Sequence, residues 1–240
     1  MIEWLRDADS CPEIELAGRR IPIALRRMAR AKRLTMRLAP DGSEVRITLP
    51  RWCASKDALA FVHARRVWLE GELAKIPERL PPEPGGTISY RGTTLTIDWQ
   101  PKLPRKPRLQ NAIITLGGPR ETLAKRLQRW LEHEARTLLR ADLDHYCAQR
   151  ELNAPELGLS GAQRRWGSCS TSGKLRINWR LVQAPDFVRR SVVAHEVAHL
   201  VHFDHSPAFH ALLGELFEGD LAAADRWLKE HGRTLYATFG

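Results

Sequence analysis

The chain has 240 residues, 43% of them hydrophobic, and carries 38 lysines and arginines against 28 acidic residues, for a formal net charge of +10 and a pI near 9.9. That is apolar material for one large domain or two modest ones, but it lies in short runs broken by charge, such as Ala58-Leu59-Ala60-Phe61-Val62. No segment reaches membrane-spanning length, so no membrane partner is expected.

The start, Met1-Ile2-Glu3-Trp4, lacks the basic, apolar and small-residue parts of a secretory signal. The four cysteines (Cys11, Cys53, Cys147, Cys169) are widely spaced and form no C-x-x-C pair. A cytoplasmic protein with reduced thiols is the expectation. The charge is unevenly spread. Arg19 to Arg37 holds eight basic residues and no acidic one, whereas Ser191 to Gly240 holds seven acidic residues against three basic. The basic N-terminal segment admits nucleic acid or a nucleotide as partner; a solvated sheet face is the plainer reading.

In chain order, period-two alternation at Ile21, Ile23, Leu25, then Leu34, Met36, Leu38, then Val45, Ile47, Leu49 predicts a hairpin-rich β segment, with Asp41-Gly42 as one turn. After Pro50, Ser55 can cap a single helix whose apolar positions, among them Leu59, Val62, Val67, Trp68 and Leu69, lean to one face until Pro77. Strands are predicted at Thr87 to Tyr90 and Thr93 to Trp99 across Arg91-Gly92, then a basic loop at 102–108, then a strand from Ala112 to Leu116. Gly117-Gly118-Pro119 precedes a long amphipathic helix over about 120–150, which puts the expected domain boundary near Gly118: residues 1–118 a β-rich basic domain, 119–240 a second domain. Beyond it, Gln163 to Ser168 and Leu175 to Leu181 predict a hairpin, Asp186 begins a helix, and Ser206-Pro207 begins another. The sequence shows no internal repeat.

The chemistry concentrates in His195-Glu196-Val197-Ala198-His199. In a helix, residues four apart stack on one face, so both imidazoles can reach one metal ion. Glu196 stands about 100° around from His195, beside the ligands, where it can take a proton from water as general base. His133-Glu134 repeats half the motif, but its fourth position is Thr137, and a solvated helical pair is the better reading there. A catalytic zinc usually takes three protein ligands. His202 would lie about 10 Å along the axis from His195. A turn at Phe203-Asp204 would instead return His205 to the ion, with His210, Glu215 and Glu218 as alternatives.

These residues resemble the YgjP-like metallopeptidases, relatives of the SprT and WLM groups with a minimal zincin fold. The resemblance runs through Ala31-Lys32-Arg33-Leu34, Phe61-Val62, Trp68-Leu69, Arg165-Trp166-Gly167-Ser168-Cys169-Ser170, Ile177-Asn178-Trp179-Arg180-Leu181, Val192 to Leu200, His205-Ser206 and Phe209. It implies zinc held by His195, His199 and His205, with Glu196 as the catalytic carboxylate. Asp204, Phe209-His210 and Arg190-Ser191 depart from the family's usual residues while leaving the ligands intact.

The sequence thus predicts an α+β protein: a β-rich segment with a helix, then a zincin-like metallopeptidase domain with an active-site helix and a β-hairpin. Its expected activity is zinc-dependent cleavage of a peptide or protein substrate. Two alternatives are a metal-dependent hydrolase of a nucleotide or other phosphate-bearing substrate, prompted by Arg164, Arg165, Arg176, Arg180, Arg189 and Arg190, and a nucleic-acid-targeted protease of SprT type. Gly167 has two readings: a bulge in a packed core, or a gap through which an extended substrate pairs with the strand.

Overall fold

A computed structural model of the chain describes residues 12–39, 41–163 and 165–239; Cys11 and Arg164 lie outside these. The chain is α+β and divides into two compact units, Met1–Pro77 and Glu78–Gly240.

The first unit contains β1 (Glu13–Leu16), β2 (Arg19–Arg27), β3 (Thr35–Leu38) and β4 (Val45–Leu49), followed by the helices α1 (Ser55–His63) and α2 (Arg66–Ala74). Sheet order is β1-β2-β4-β3, with β2 parallel to β4 and the other pairs antiparallel. Alternation does what period two requires: Ile14, Leu16, Ile21, Ile23, Val45, Ile47 and Leu49 point inward onto Ala58, Val62 and Leu69. Gly42, at φ +72°, makes the β3–β4 turn where a Cβ would meet the Leu73 side chain at 2.9 Å. The predicted single helix is two helices. Arg65 leaves helical geometry (φ −112°, ψ 21°), its guanidinium lies 3.9 Å from the Phe61 ring, and beyond the break Val67 and Trp68 face outward, 82% and 49% exposed, instead of joining the apolar face.

The second unit opens with β5 (Thr87–Tyr90), β6 (Thr93–Trp99), β7 (Arg108–Gln110) and β8 (Ile113–Leu116), then a helix α3 (Leu123–Ala148). The division at Pro77 replaces the boundary expected near Gly118. Ile88, Leu95, Ile97, Ile114 and Leu116 share one core with Leu127, Leu131, Leu139 and Val193, so these strands cannot belong to the N-terminal unit. A smaller sheet, order β10-β11-β9, follows: β9 (Leu157–Ser160), β10 (Gly167–Cys169) and β11 (Leu175–Asn178), with β10 and β11 antiparallel. A 3₁₀ turn over Trp179–Gln183 leads into α4 (Asp186–Ala198), then α5 (Pro207–Leu216) and α6 (Leu221–His231). Beneath α4 lies α3, whose buried Leu123, Leu127, Leu131, Ala135, Leu139 and Leu143 recur every fourth residue.

The two four-stranded sheets share one topology. Order β5-β6-β8-β7 repeats β1-β2-β4-β3, with a hairpin, a parallel pair and an antiparallel edge in the same places. Both hairpins turn through two positive-φ residues, Ala17-Gly18 and Arg91-Gly92. Each parallel pair ends on the same backbone bond, Met28 N–H to Leu49 O and Gln100 N–H to Leu116 O. A structural repeat is therefore present that sequence comparison does not reveal. Its inward positions ask only for apolar residues, and beyond the X-Gly hairpin turns the loops differ. Among the described residues, no helix is long and apolar enough to cross a membrane, and Cys53, Cys147 and Cys169 are free thiols.

Candidate metal centre

Pro185 and Asp186 start α4, and Val188, Val192, Val193 and Val197 bury its inner side. That burial fixes the helix rotation and leaves His195 and His199 half-buried on one face. The helix ends there. Leu200 and Val201 N–H bond back to Val197 and Ala198 in tight turns, and the chain reverses until Ser206 caps α5 by accepting from Phe209 N–H at 3.4 Å. Asp204 bonds to Ser206, which holds its carboxyl below the usual range.

This reversal brings His205 to the other two. His199 Nε2 lies 3.1 Å and His205 Nε2 3.4 Å from His195 Nε2. A tetrahedral ion with metal–nitrogen bonds of about 2.0–2.1 Å separates its ligands by about 3.4 Å; the two distances from His195 are close to that value, and all three ligand atoms lie within 4.8 Å of one another. Nitrogens converging in this way could hold a cation between them. His199 Nδ1 lies 3.0 Å from the carbonyl oxygen of His202, to which it donates, and Nε2 is the ring nitrogen that faces His195. Burial and the neighbouring His199, His205 and His210 push His195 down to about 4, so it is neutral, as a ligand must be. Phe209, fully buried, is the floor of the site. Its ring centroid is 5.0, 4.5 and 4.8 Å from those of His195, His199 and His205.

The other candidate ligands are elsewhere. His202 contributes its carbonyl, not its ring. Exposed His210 stands 6.4 Å ring to ring from His205 and outside the group of three. Glu215 pairs with Arg150, and Glu218 accepts from Tyr146 at 2.9 Å and from Arg190 at 2.7 Å. His133 is exposed, as in a solvated pair, while half-buried Glu134 accepts from Tyr90 at 2.8 Å.

Glu196 is 5% exposed and its Oε2 has no hydrogen-bond partner among the described residues. Burial raises its carboxyl to about 7, against the lowering field of Arg165. A buried, unsatisfied carboxylate oxygen beside three converging imidazoles is costly for folding alone. Gly167 of β10 lies directly against it, and a Cβ there would sit 2.4 Å from Oε1 and 2.6 Å from Cγ. Gly167 is therefore required by the close approach of strand and carboxylate, and it is no incidental bulge. β10 is also an edge strand, so one side of its backbone is free of strand partners. Cys169 is half-buried and outside the histidine group; burial and the Glu196 charge raise its thiol.

Two residues to which the sequence assigned no role position the site. Asn178, fully buried, donates from Nδ2 to Ala162 O at 2.8 Å and to Tyr236 Oη at 2.9 Å, while its backbone N–H holds Trp166 O at 2.7 Å. Tyr236 donates to Ala162 O and packs its ring 5.6 Å from Trp166. Together they tie the segment before Gly167 to the C-terminal turn. Of the arginines that suggested a phosphate substrate, Arg189 is buried on Asp142 at 2.7 Å and Arg190 pairs with Glu218, while Arg180 is buried between the Trp179 and Tyr236 rings with its Nε and Nη1 without a hydrogen-bond partner among the described residues. Arg165 and Arg176 are exposed.

No curated protein matches the chain. A family model described as YgjP-like, metallopeptidase domain, matches residues 32–231, in agreement with the resemblance carried by the W-G-S-C and H-E-x-x-H segments. Matched over most of its length, the chain belongs to the YgjP-like metallopeptidase family.

Proposed function

We propose that this protein is a zinc peptidase in which His195, His199 and His205 hold the ion and Glu196 is the general base. The observation that carries the reading is the convergence of three imidazole nitrogens beside a buried carboxylate oxygen without a partner. Three nitrogen donors favour zinc over the oxygen-seeking magnesium of phosphate chemistry. Zinc held there supplies a Lewis acid that polarises a peptide carbonyl and acidifies water. Glu196 accepts the water's proton at Oε2 and passes it to the leaving amine nitrogen. The His202 carbonyl orients His199, and Phe209 keeps water from beneath the triad. The free edge of β10 gives an extended peptide a strand to pair with, close to Glu196. The free thiols among the described residues, Cys53, Cys147 and Cys169, are in keeping with a reducing compartment such as the cytoplasm.

The test is Glu196→Gln. It preserves shape and all three histidines, so zinc content should match wild type while cleavage of a peptide library falls by at least a thousandfold, roughly what loss of an essential base costs. Undiminished cleavage by the zinc-loaded variant would remove Glu196 from the mechanism.

A further inference from the structure

We propose that the first unit docks single-stranded nucleic acid at one end of its sheet, with Trp52 as a stacking platform for a base. The parallel strands β2 and β4 end side by side, so the chain leaving β2 (Met28 onward) and the chain leaving β4 (Pro50 to Cys53) emerge together, joined by the bond from Met28 N–H to Leu49 O. This places Arg26, Arg30, Lys32 and Arg33 at the same end of the sheet as Arg51 and Trp52, which sequence separates by some twenty residues. All six are exposed, and among the described residues none of the five cations is in an ion pair with a carboxylate. From Arg19 to Arg51 ten basic residues face two acidic ones, and those two, Asp41 and Glu44, lie at the opposite end of β4.

Arg27 has a different task. Its guanidinium donates to Arg51 O, Cys53 O and Ser55 Oγ, which ties the 51–55 turn to the end of β2. Trp52 therefore stands 79% exposed on a fastened turn, where its indole is accessible to a stacking base. Met28, 38% exposed, is the one other large apolar side chain exposed on these two segments, too little apolar surface for insertion into a lipid bilayer. Guanidinium groups around an exposed aromatic face match a phosphate backbone with unstacked bases.

The structural repeat adds an independent observation. In the second unit the crossover at the same place, between β6 and β7, runs Gln100 to Pro107 and carries Lys102, Arg105 and Lys106, with Arg108 following and no acidic residue. The two crossovers share little else, so the topology does not dictate their charge.

The test is fluorescence anisotropy of the full-length protein with labelled 20-nucleotide oligo-dT and oligo-U, from 50 to 200 mM salt. Contact with three or four phosphates predicts affinity falling with a log–log slope of about −2 to −3. The triple variant Arg26→Ala, Arg30→Ala, Arg33→Ala should flatten that slope. Trp52→Ala should weaken binding roughly tenfold with the slope unchanged. All four positions are exposed, so melting temperatures should stay at the wild-type value, which separates lost contacts from lost fold. No binding at 50 mM salt overturns the proposal, as does binding that neither variant alters, or binding to phosphatidylserine vesicles without binding to either oligonucleotide.

Discussion

Gly167 and Glu196 constrain each other most tightly of any pair at the site. Because a Cβ at 167 would fall inside the carboxylate, Gly167→Ala must displace either β10 or Glu196. It should lower turnover tenfold or more at a stability cost of about 1–3 kcal/mol, typical of overpacking; peptide cleavage and thermal melting measure the two. Wild-type turnover in that variant would mean that strand and carboxylate do not meet. Glu196 also has a stability signature. Its carboxyl is held at about 7 against an ordinary 4.5, so between those values the native protein keeps a proton that the unfolded chain has lost. Stability of the metal-free protein therefore falls as pH rises from 4.5 to 7, by about 1.4 kcal/mol per unit of separation between the two values. With metal chelated, Glu196→Gln should melt above wild type at pH 8 and close to it at pH 4. An equal gap at both would contradict the burial argument. The motif spacing made His195, His199 and Glu196 legible, because i and i+4 positions depend only on the helix. The His202 carbonyl, the Phe209 floor and the Asn178–Tyr236 ties depend on how the chain folds back, which no local pattern encodes.

The helix that carries His195 and ends at His199 is held by buried charge as well as by valines. Arg189 of α4, 3% exposed at its side chain, bonds to Asp142 of α3 at 2.7 Å and also to Asp186. Asp142→Ala would leave a buried guanidinium half-paired, and denaturant unfolding should show a loss of about 3 kcal/mol; a change under 1 kcal/mol would show that Asp186 alone satisfies it. Among the elements, β5, β6, α4 and α5 could be read from alternation and caps, since Thr87–Tyr90, Thr93–Trp99, Asp186 and Ser206-Pro207 begin or end where the pattern does. β7 and β9 could not: β7 is three residues long and exposed throughout, and β9 is half-buried at every position, so neither shows the periodicity of an inward face, whereas β1 does alternate, as Glu13-Ile14-Glu15-Leu16. The break at Arg65 carries no glycine or proline to announce it.

For the molecule as a whole, Gly117-Gly118 looked like a boundary because it punctuates strand and helix, yet the core crosses it and the division falls at Pro77. Glycine marks a turn; only burial marks a domain. Sheet topology repeats between the two units while their sequences diverge, since an inward row of Ile, Leu and Val is all that either sheet asks of its strands. The second unit carries the histidines and the carboxylate, and its function rests on whether they hold an ion. The decisive measurement is the metal content, by elemental analysis of untagged protein, of the wild type and of His195→Ala and His205→Ala. The expected result is about one zinc per wild-type chain and its loss from both variants while they remain folded. A wild type that stays metal-free when offered zinc at neutral pH, or a His205→Ala variant that retains the ion with wild-type affinity, would contradict the three-histidine centre.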